Sequence, residues 1–304
     1  MMQPFCKACG QPIWGRCLNA LNANWHPEHF VCAGCGRPID AASFQMHQGA
    51  PYHIQCHTNL IAPRCAYCAR PMTNTFLVDY WGTHFCPEHQ REYPPCTYCG
   101  RLIPPQQLEQ PPAEAIRCPV CRSTAIETAQ DARPFFNNVK QWISSQGLVY
   151  NNLPLSLQIC GKTRLAEMLQ DRGPTHAHGA TVSSTTYDHN GRAVYNEIKG
   201  VAVLRGLPAT LFQGVTVHEL GHVWLIIHNI QGQPQWAEEG FCELLSYRLY
   251  QALNTPESQY HIQSIEQNLD PIYGEGFRRI RHRAEQLGWP HFLEAVRTTR
   301  RLLL

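Results

Sequence analysis

The sequence predicts an α+β protein: small β-rich modules stapled through Cys and His side chains, then a mostly helical domain with a short sheet. Three observations carry that expectation. Two-residue-spaced Cys/His pairs recur eight times before residue 122. The composition shifts near Arg122 to Arg133, and beyond it only Cys160 and Cys242 remain of the fifteen cysteines. From there apolar residues recur at helical spacing, beginning with Phe135, Phe136, Val139, Trp142 and Ile143.

The first half repeats at roughly 60 residues. Its pairs fall into four groups of four: Cys6, Cys9, His26 and His29; Cys32, Cys35, His53 and Cys56; Cys65, Cys68, Cys86 and His89; Cys96, Cys99, Cys118 and Cys121. A two-residue spacer lets both side chains of a pair face one ion from a tight turn, and four Cys/His ligands close a tetrahedral zinc site. Such sites are structural, and binding their metal supplies folding free energy to modules too small for large cores. Disulfides, the competing use of cysteine, have no need of histidine at these offsets. The Pro-rich stretch from Ile103 to Ala113 lies between Cys99 and Cys118, so it is read as a loop inside the fourth group. The expected boundaries are 1–60, 61–124 and 125–304.

NWHPEHFVCAGCGRPI followed by PYHIQC resembles a LIM domain, with only Phe30 and Val31 between its two metal sites. The second copy is LIM-like. Six residues separate His89 from Cys96, and His84 competes with Cys86 or His89 as a ligand.

The formal charge is +2. Four closed sites with twelve thiolates would lower it by four and a fifth Zn2+ would return two, leaving a chain near neutrality. Bulk charge therefore gives no support for nucleic-acid binding. No run of about 18 apolar residues offers a membrane span. MMQPFCKACG contains no apolar signal core, and the expected location is cytoplasmic.

In the second half, Leu153 to Ile159, Thr181 to Tyr187 and Val201 to Leu204 read as strands, and Arg164 to Gln170 as a short helix. Gly206-Leu207-Pro208 precedes a long helix over about Ala209 to Ile230. Further helices are expected over Glu238 to Leu253, Ser258 to Asn268, Glu275 to Leu287 and His291 to Leu302. An extended substrate segment is expected to pair with a sheet edge near Val201 to Leu204.

His218 and His222 stand four residues apart on the long helix and project from one face toward one metal. Glu219 is rotated by about a hundred degrees from His218. That places it as a base taking a proton from water as the water attacks a carbonyl. Five letters alone also suit a solvated helix face. The apolar flank Val215, Val217, Leu220, Val223 and Trp224, with the acidic segment that follows, favours a metal centre.

A third ligand is needed. Sixteen residues separate His222 from Glu239, enough for a turn and an antiparallel return helix. WAEEGF resembles the third-ligand motif of gluzincin peptidases, which implies that Glu239 binds a catalytic zinc, with Glu238 as rival. Glu243, one turn later, is placed to orient a ligating histidine. Gluzincins use a Tyr or His on the oxyanion. Tyr273 is the first candidate, with Tyr247 and Tyr250 as rivals. His176, His178 and His189 form a loose loop cluster without an assigned role, and the arginines from 278 to 301 read as a solvated helix face.

A LIM domain, a LIM-like domain and a C-terminal HExxH peptidase, in this order, resemble the ubiquitin-activated peptidase family that limits organ growth in plants. RGLPATLFQGVTVHELGHVWL, EEGFCELLSY and YGEGFR carry the likeness, which spans about residues 5 to 300. It implies an endopeptidase with one catalytic and four structural Zn2+ ions. The implied substrates are proteins, including ubiquitin-pathway components. An interaction adaptor built on the LIM modules, with an inactive peptidase fold, is the competing function. An aminopeptidase ranks last, because no acidic anchor motif for a free amine precedes the helix.

Overall fold

The computed structural model describes the chain except residues 1–2, 41, 111–113, 152, 170–177, 188–192, 231 and 303–304, and except the side chains of 183–187 and 193–197. Two compact units result, Met1–Pro94 and Pro95–Leu304.

The first unit is built from one repeated turn. The N–H groups of Cys6, Cys32 and Cys65 donate to the carbonyls of Gln11, Arg37 and Arg70, while Gly10, Gly36 and Ala69 donate back to the three cysteine carbonyls. The closing residue is left-handed each time, at φ 71, 69 and 58. Glycine adopts that conformation freely; Ala69 does so against its Cβ. Short hairpins follow each turn: β1 (Leu18–Ala20) with β2 (Ala23–Trp25), β3 (Gln45–His47) with β4 (Ala50–Tyr52), and β5 (Leu77–Val78) with β6 (His84–Phe85). Helices α1 (Ile54–Leu60) and α2 (Pro87–Glu92) close the two modules. Phe30 is buried beside Trp25 and Phe44, with ring centroids at 5.3 and 5.2 Å. One residue of the two-residue spacer is thus the plug of the first module's core.

The second unit begins inside the second repeat. The break between the two units falls at Pro94 and Pro95. The physical reason is the fourth Cys group's attachment to the helical domain. Arg117 donates to Glu109, to Glu127 and to the Gly206 carbonyl. Glu114 pairs with Arg205 and accepts from the Lys162 N–H. After α3 (Pro119–Ser123), β7 (Ala125–Ile126) pairs with β11 (Leu207–Pro208).

Helix α4 (Ala129–Ser145) starts at a capping box between Thr128 and Asp131, upstream of the apolar repeat that announces it. Then come β8 (Leu157–Cys160), α5 (Lys162–Met168), β9 (Gly179–Tyr187) and β10 (Ala193–Leu204). The sheet order is β8-β10-β9, with β10 parallel to β8 and antiparallel to β9. Val201 to Leu204 therefore lie in the middle of the sheet, bonded on both sides. This corrects the expected substrate edge: the outer strands are β8 and β9, and of these β9 lines the cleft.

Helix α6 (Ala209–Ile227) is apolar nearly all round and forms the centre of the domain. It is covered by α4, by the sheet and by α7 (Gln235–Leu253). Trp224 stacks on Phe241 at 5.5 Å, and Phe292 of α10 (Trp289–Thr299) continues the core. At Gly221 an added Cβ would lie 2.9 Å from the Cys242 Sγ, so the glycine of HELGH sets how closely α7 approaches. Helices α8 (Pro256–Glu266) and α9 (Tyr273–Leu287) complete the fold. A Cβ on Gly240 would collide with the Gly276 carbonyl, and one on Gly276 with the Trp236 carbonyl. The second glycine of YGEGFR, Gly276, is thus a backbone contact between α7 and α9. Among the described residues, no helix is long and apolar enough to cross a membrane.

Candidate active site and metal centres

The four Cys/His groups expected from spacing each bring their ligand atoms within 4.8 Å of one another. Their separations fit an ion at the centre. With Zn–S near 2.3 Å and Zn–N near 2.05 Å, a tetrahedron has S–S edges of about 3.8 Å and S–N edges of about 3.6 Å. The structure has Cys68–Cys86 at 3.9 Å and Cys99–Cys118 at 3.6 Å. Cys6–His29 and Cys9–His26 are each at 3.5 Å, and Cys35–His53 is at 3.4 Å. Backbone N–H groups of His26 and His53 point at the sulfurs of Cys6 and Cys32. Burial opposes their thiolates, yet these donors prevail and bring Cys6 down to about 5 and Cys32 to about 6. His84 lies outside the third cluster, exposed on β6 against Phe76 at 5.3 Å.

The second constellation lies where α6 meets α7. The His218 and His222 rings lie edge-on to each other with centroids 5.1 Å apart. Glu239, arriving from α7, sets its Oε2 3.1 Å from His218 Nε2 and 3.5 Å from His222 Nε2. The edge expected between N and O ligands of one zinc is about 3.3 Å. Burial disfavours the charge of His218, but acceptance by Glu239 and Glu243 outweighs it and raises the imidazole to about 10. Burial likewise works against the Glu239 carboxylate, and the two histidines nevertheless hold it down to about 2. A site that so favours positive charge between three ligand atoms suits a divalent cation.

Two neighbours compete for the third position. Glu238 accepts the Gln233 N–H at 3.2 Å and does not line the cleft. Cys242 has its sulfur within 4.8 Å of a ring nitrogen on each histidine. It is fully buried against Gly221, and burial pushes its thiol far up. A thiol kept protonated beneath the helix contact is a poorer ligand than a carboxylate facing the cleft.

Glu243 Oε1 lies 3.4 Å from His218 Nδ1, on the ring nitrogen away from Glu239. Glu219 is buried beside His218 and lines a cleft of roughly 540 Å³ together with His218, His222 and Glu239. Gly179 to Thr181 of β9 form one wall, and the Thr181 Oγ1 lies 3.0 Å from both Glu219 Oε2 and the Glu219 carbonyl. Sequence reading gave Thr181 only a strand; with 37 intervening residues and a hairpin between them, no local signal pairs it with Glu219.

Of the three tyrosines, Tyr273 and Tyr250 line the cleft, Tyr273 at the first turn of α9. Burial, then the carboxylates of Glu239, Glu243 and Glu219, push its hydroxyl up to about 12. Tyr247 faces elsewhere and donates to Glu266 at 2.8 Å. Tyr250 lies in the cleft floor, stacked on His261 with its hydroxyl against Gly214. His178 and His261 also line the cleft, and neither carried a role in the sequence reading. His176 and His189 fall outside the described residues. Arg279 is exposed and pairs with Glu275, as a solvated face expects, whereas Arg281 is half-buried over the Tyr247 ring and pairs with Glu266 and Glu285.

Residues 6–61 match the LIM domain family, and residues 157–259 match the DA1-like family, described as Protein DA1. The chain is 26% identical to Protein DA1 of Arabidopsis thaliana over 359 aligned positions, covering 97% of this chain and 67% of that protein. It is 25% identical to LIM domain-containing protein HDR3 of Oryza sativa subsp. japonica, covering 80% and 55%. To Protein DA1-related 1 of Arabidopsis thaliana it is 26% identical, covering 80% and 50%. The chain thus spans half to two thirds of the length of these relatives.

Proposed function

As one of the DA1-family LIM proteins, the chain is, we propose, a zinc-dependent endopeptidase that hydrolyses peptide bonds of protein substrates. The single observation supporting this most is the Glu239 oxygen between the two α6 histidines, with Glu219 on the same cleft wall.

A zinc ion held by His218, His222 and Glu239 would acidify water in its open position and polarise a carbonyl. The chain supplies the rest. Glu219 takes the proton of the attacking water, whose oxygen bonds to the carbonyl carbon, and passes it to the leaving amine as the C–N bond breaks. Glu243 holds His218 by its second nitrogen. Tyr273, kept protonated, donates toward the developing oxyanion. Strand β9 lies at a sheet edge and lines the cleft, where an extended substrate would align.

The LIM modules serve, in this reading, as an interaction or regulatory platform. Ubiquitin-pathway proteins as substrates and a cytoplasmic location are part of the proposal and rest on the family likeness and the thiol-rich metal sites. The test compares wild type with Glu219→Gln for zinc content and for new protein termini in a lysate, read by mass spectrometry. Equal zinc with cleavage only in the wild type supports the peptidase. Identical terminal profiles favour the LIM adaptor.

A further inference from the structure

Strand β9 does more at the cleft than offer an edge. Two of its residues, both pointing to the α6 side, touch Glu219. The Thr181 hydroxyl reaches Oε2 and the main-chain carbonyl of Glu219, each at 3.0 Å. At Gly179 an added Cβ would lie 2.8 Å from both Cγ and Oε1 of Glu219. The side chain is therefore gripped at one oxygen and packed against bare backbone at the other. A glutamate on a helix has three rotatable bonds, and leaving them free would spread the carboxylate over several rotamers. The contact also ties the strand to the helix one residue from His218.

We infer that Gly179 and Thr181 form a strand-borne clamp that fixes the orientation of Glu219, with Thr181 a positioning residue and Oε1 the oxygen left to take the proton. This rests on the peptidase reading. Among the described residues the Thr181 hydroxyl bonds to Glu219 alone, so the clamp acts on the base and leaves metal binding alone.

The experiment uses the full chain and an internally quenched peptide built on a cut site mapped for the wild type. Thr181→Val removes the hydroxyl at constant size, Thr181→Ala removes it while leaving space, and Thr181→Ser keeps it. Misplacing a reacting group by about 1 Å costs on the order of a hundredfold in rate. The expected result is zinc content equal to wild type, KM within about twofold, and kcat lowered tenfold or more in whichever of the Val and Ala variants folds, with Ser restoring most of it. A kcat equal to wild type in either hydroxyl-free variant overturns the clamp. So does a loss that Ser does not restore, which would assign Thr181 to packing. A wild type without Glu219-dependent cleavage overturns the peptidase reading itself, and the clamp with it.

Discussion

The Oε2 atom of Glu239 lies 3.1 Å from the Nε2 atom of His218, although the two residues stand on different helices. Glu239→Ala removes the only carboxylate that touches both histidines among the described residues. Wild type should carry five zinc ions, four in the Cys/His clusters and one here. The variant should lose the fifth and keep the other four, as counted by mass spectrometry of the native protein. Retention of all five would make Cys242 or Glu238 the third ligand.

Metal binding at this site should depend on pH with a defined sign. In the zinc-free protein His218 is raised from 6.5 to about 10 and Glu239 is lowered from 4.5 to about 2. The raised histidine stabilises the zinc-free fold fully below pH 6.5, and that contribution is lost as pH rises through about 10. The lowered carboxylate contributes above pH 4.5 and loses its effect as pH falls through about 2. Zinc must displace the His218 proton, so its affinity should rise about tenfold per pH unit across neutrality. Chelator competition at several pH values measures the slope, and a flat response would show that His218 is already neutral.

Gly240→Ala should destabilise the second unit by about 1–3 kcal/mol, because its Cβ meets the Gly276 backbone rather than a movable side chain. The readout is a lowered midpoint in thermal unfolding. Gly10→Ala, at a turn with open space around it, should act in the first unit and only through its backbone φ of 71.

Arg117→Ala should cost about 1–3 kcal/mol, since it leaves Glu109 and the Gly206 carbonyl without their half-buried partner. Hydrogen exchange should show lost protection around β7 and β11, in the unit that begins at Pro95. Loss confined to residues before Pro94 would place the fourth cluster with the LIM modules instead.

Ala69→Gly should be neutral or stabilise the LIM-like module by up to about 1 kcal/mol, because it relieves a left-handed alanine in a turn where the sister modules use glycine. Zinc retention under increasing denaturant compares the two forms.

What the sequence determined by itself were the features whose physics is local. Cys6 and Cys9, or His218 and His222, meet because two residues of a turn or four residues of a helix fix their relative direction. Helices α6 to α10 follow from their apolar spacing and breakers, with ends displaced where caps such as Thr255 and its capping-box partner Ser258 lie ahead of the apolar pattern. Tertiary structure alone decided the rest. The middle position of Val201 to Leu204 depends on β8 and β9, two strands that pair across separate connections. The attachment of Cys96 to Cys121 to the helical unit depends on Arg117 reaching a carbonyl 89 residues away. Thr181 finds Glu219 only because β9 is laid along α6, and a contact between distant segments leaves no period in either one.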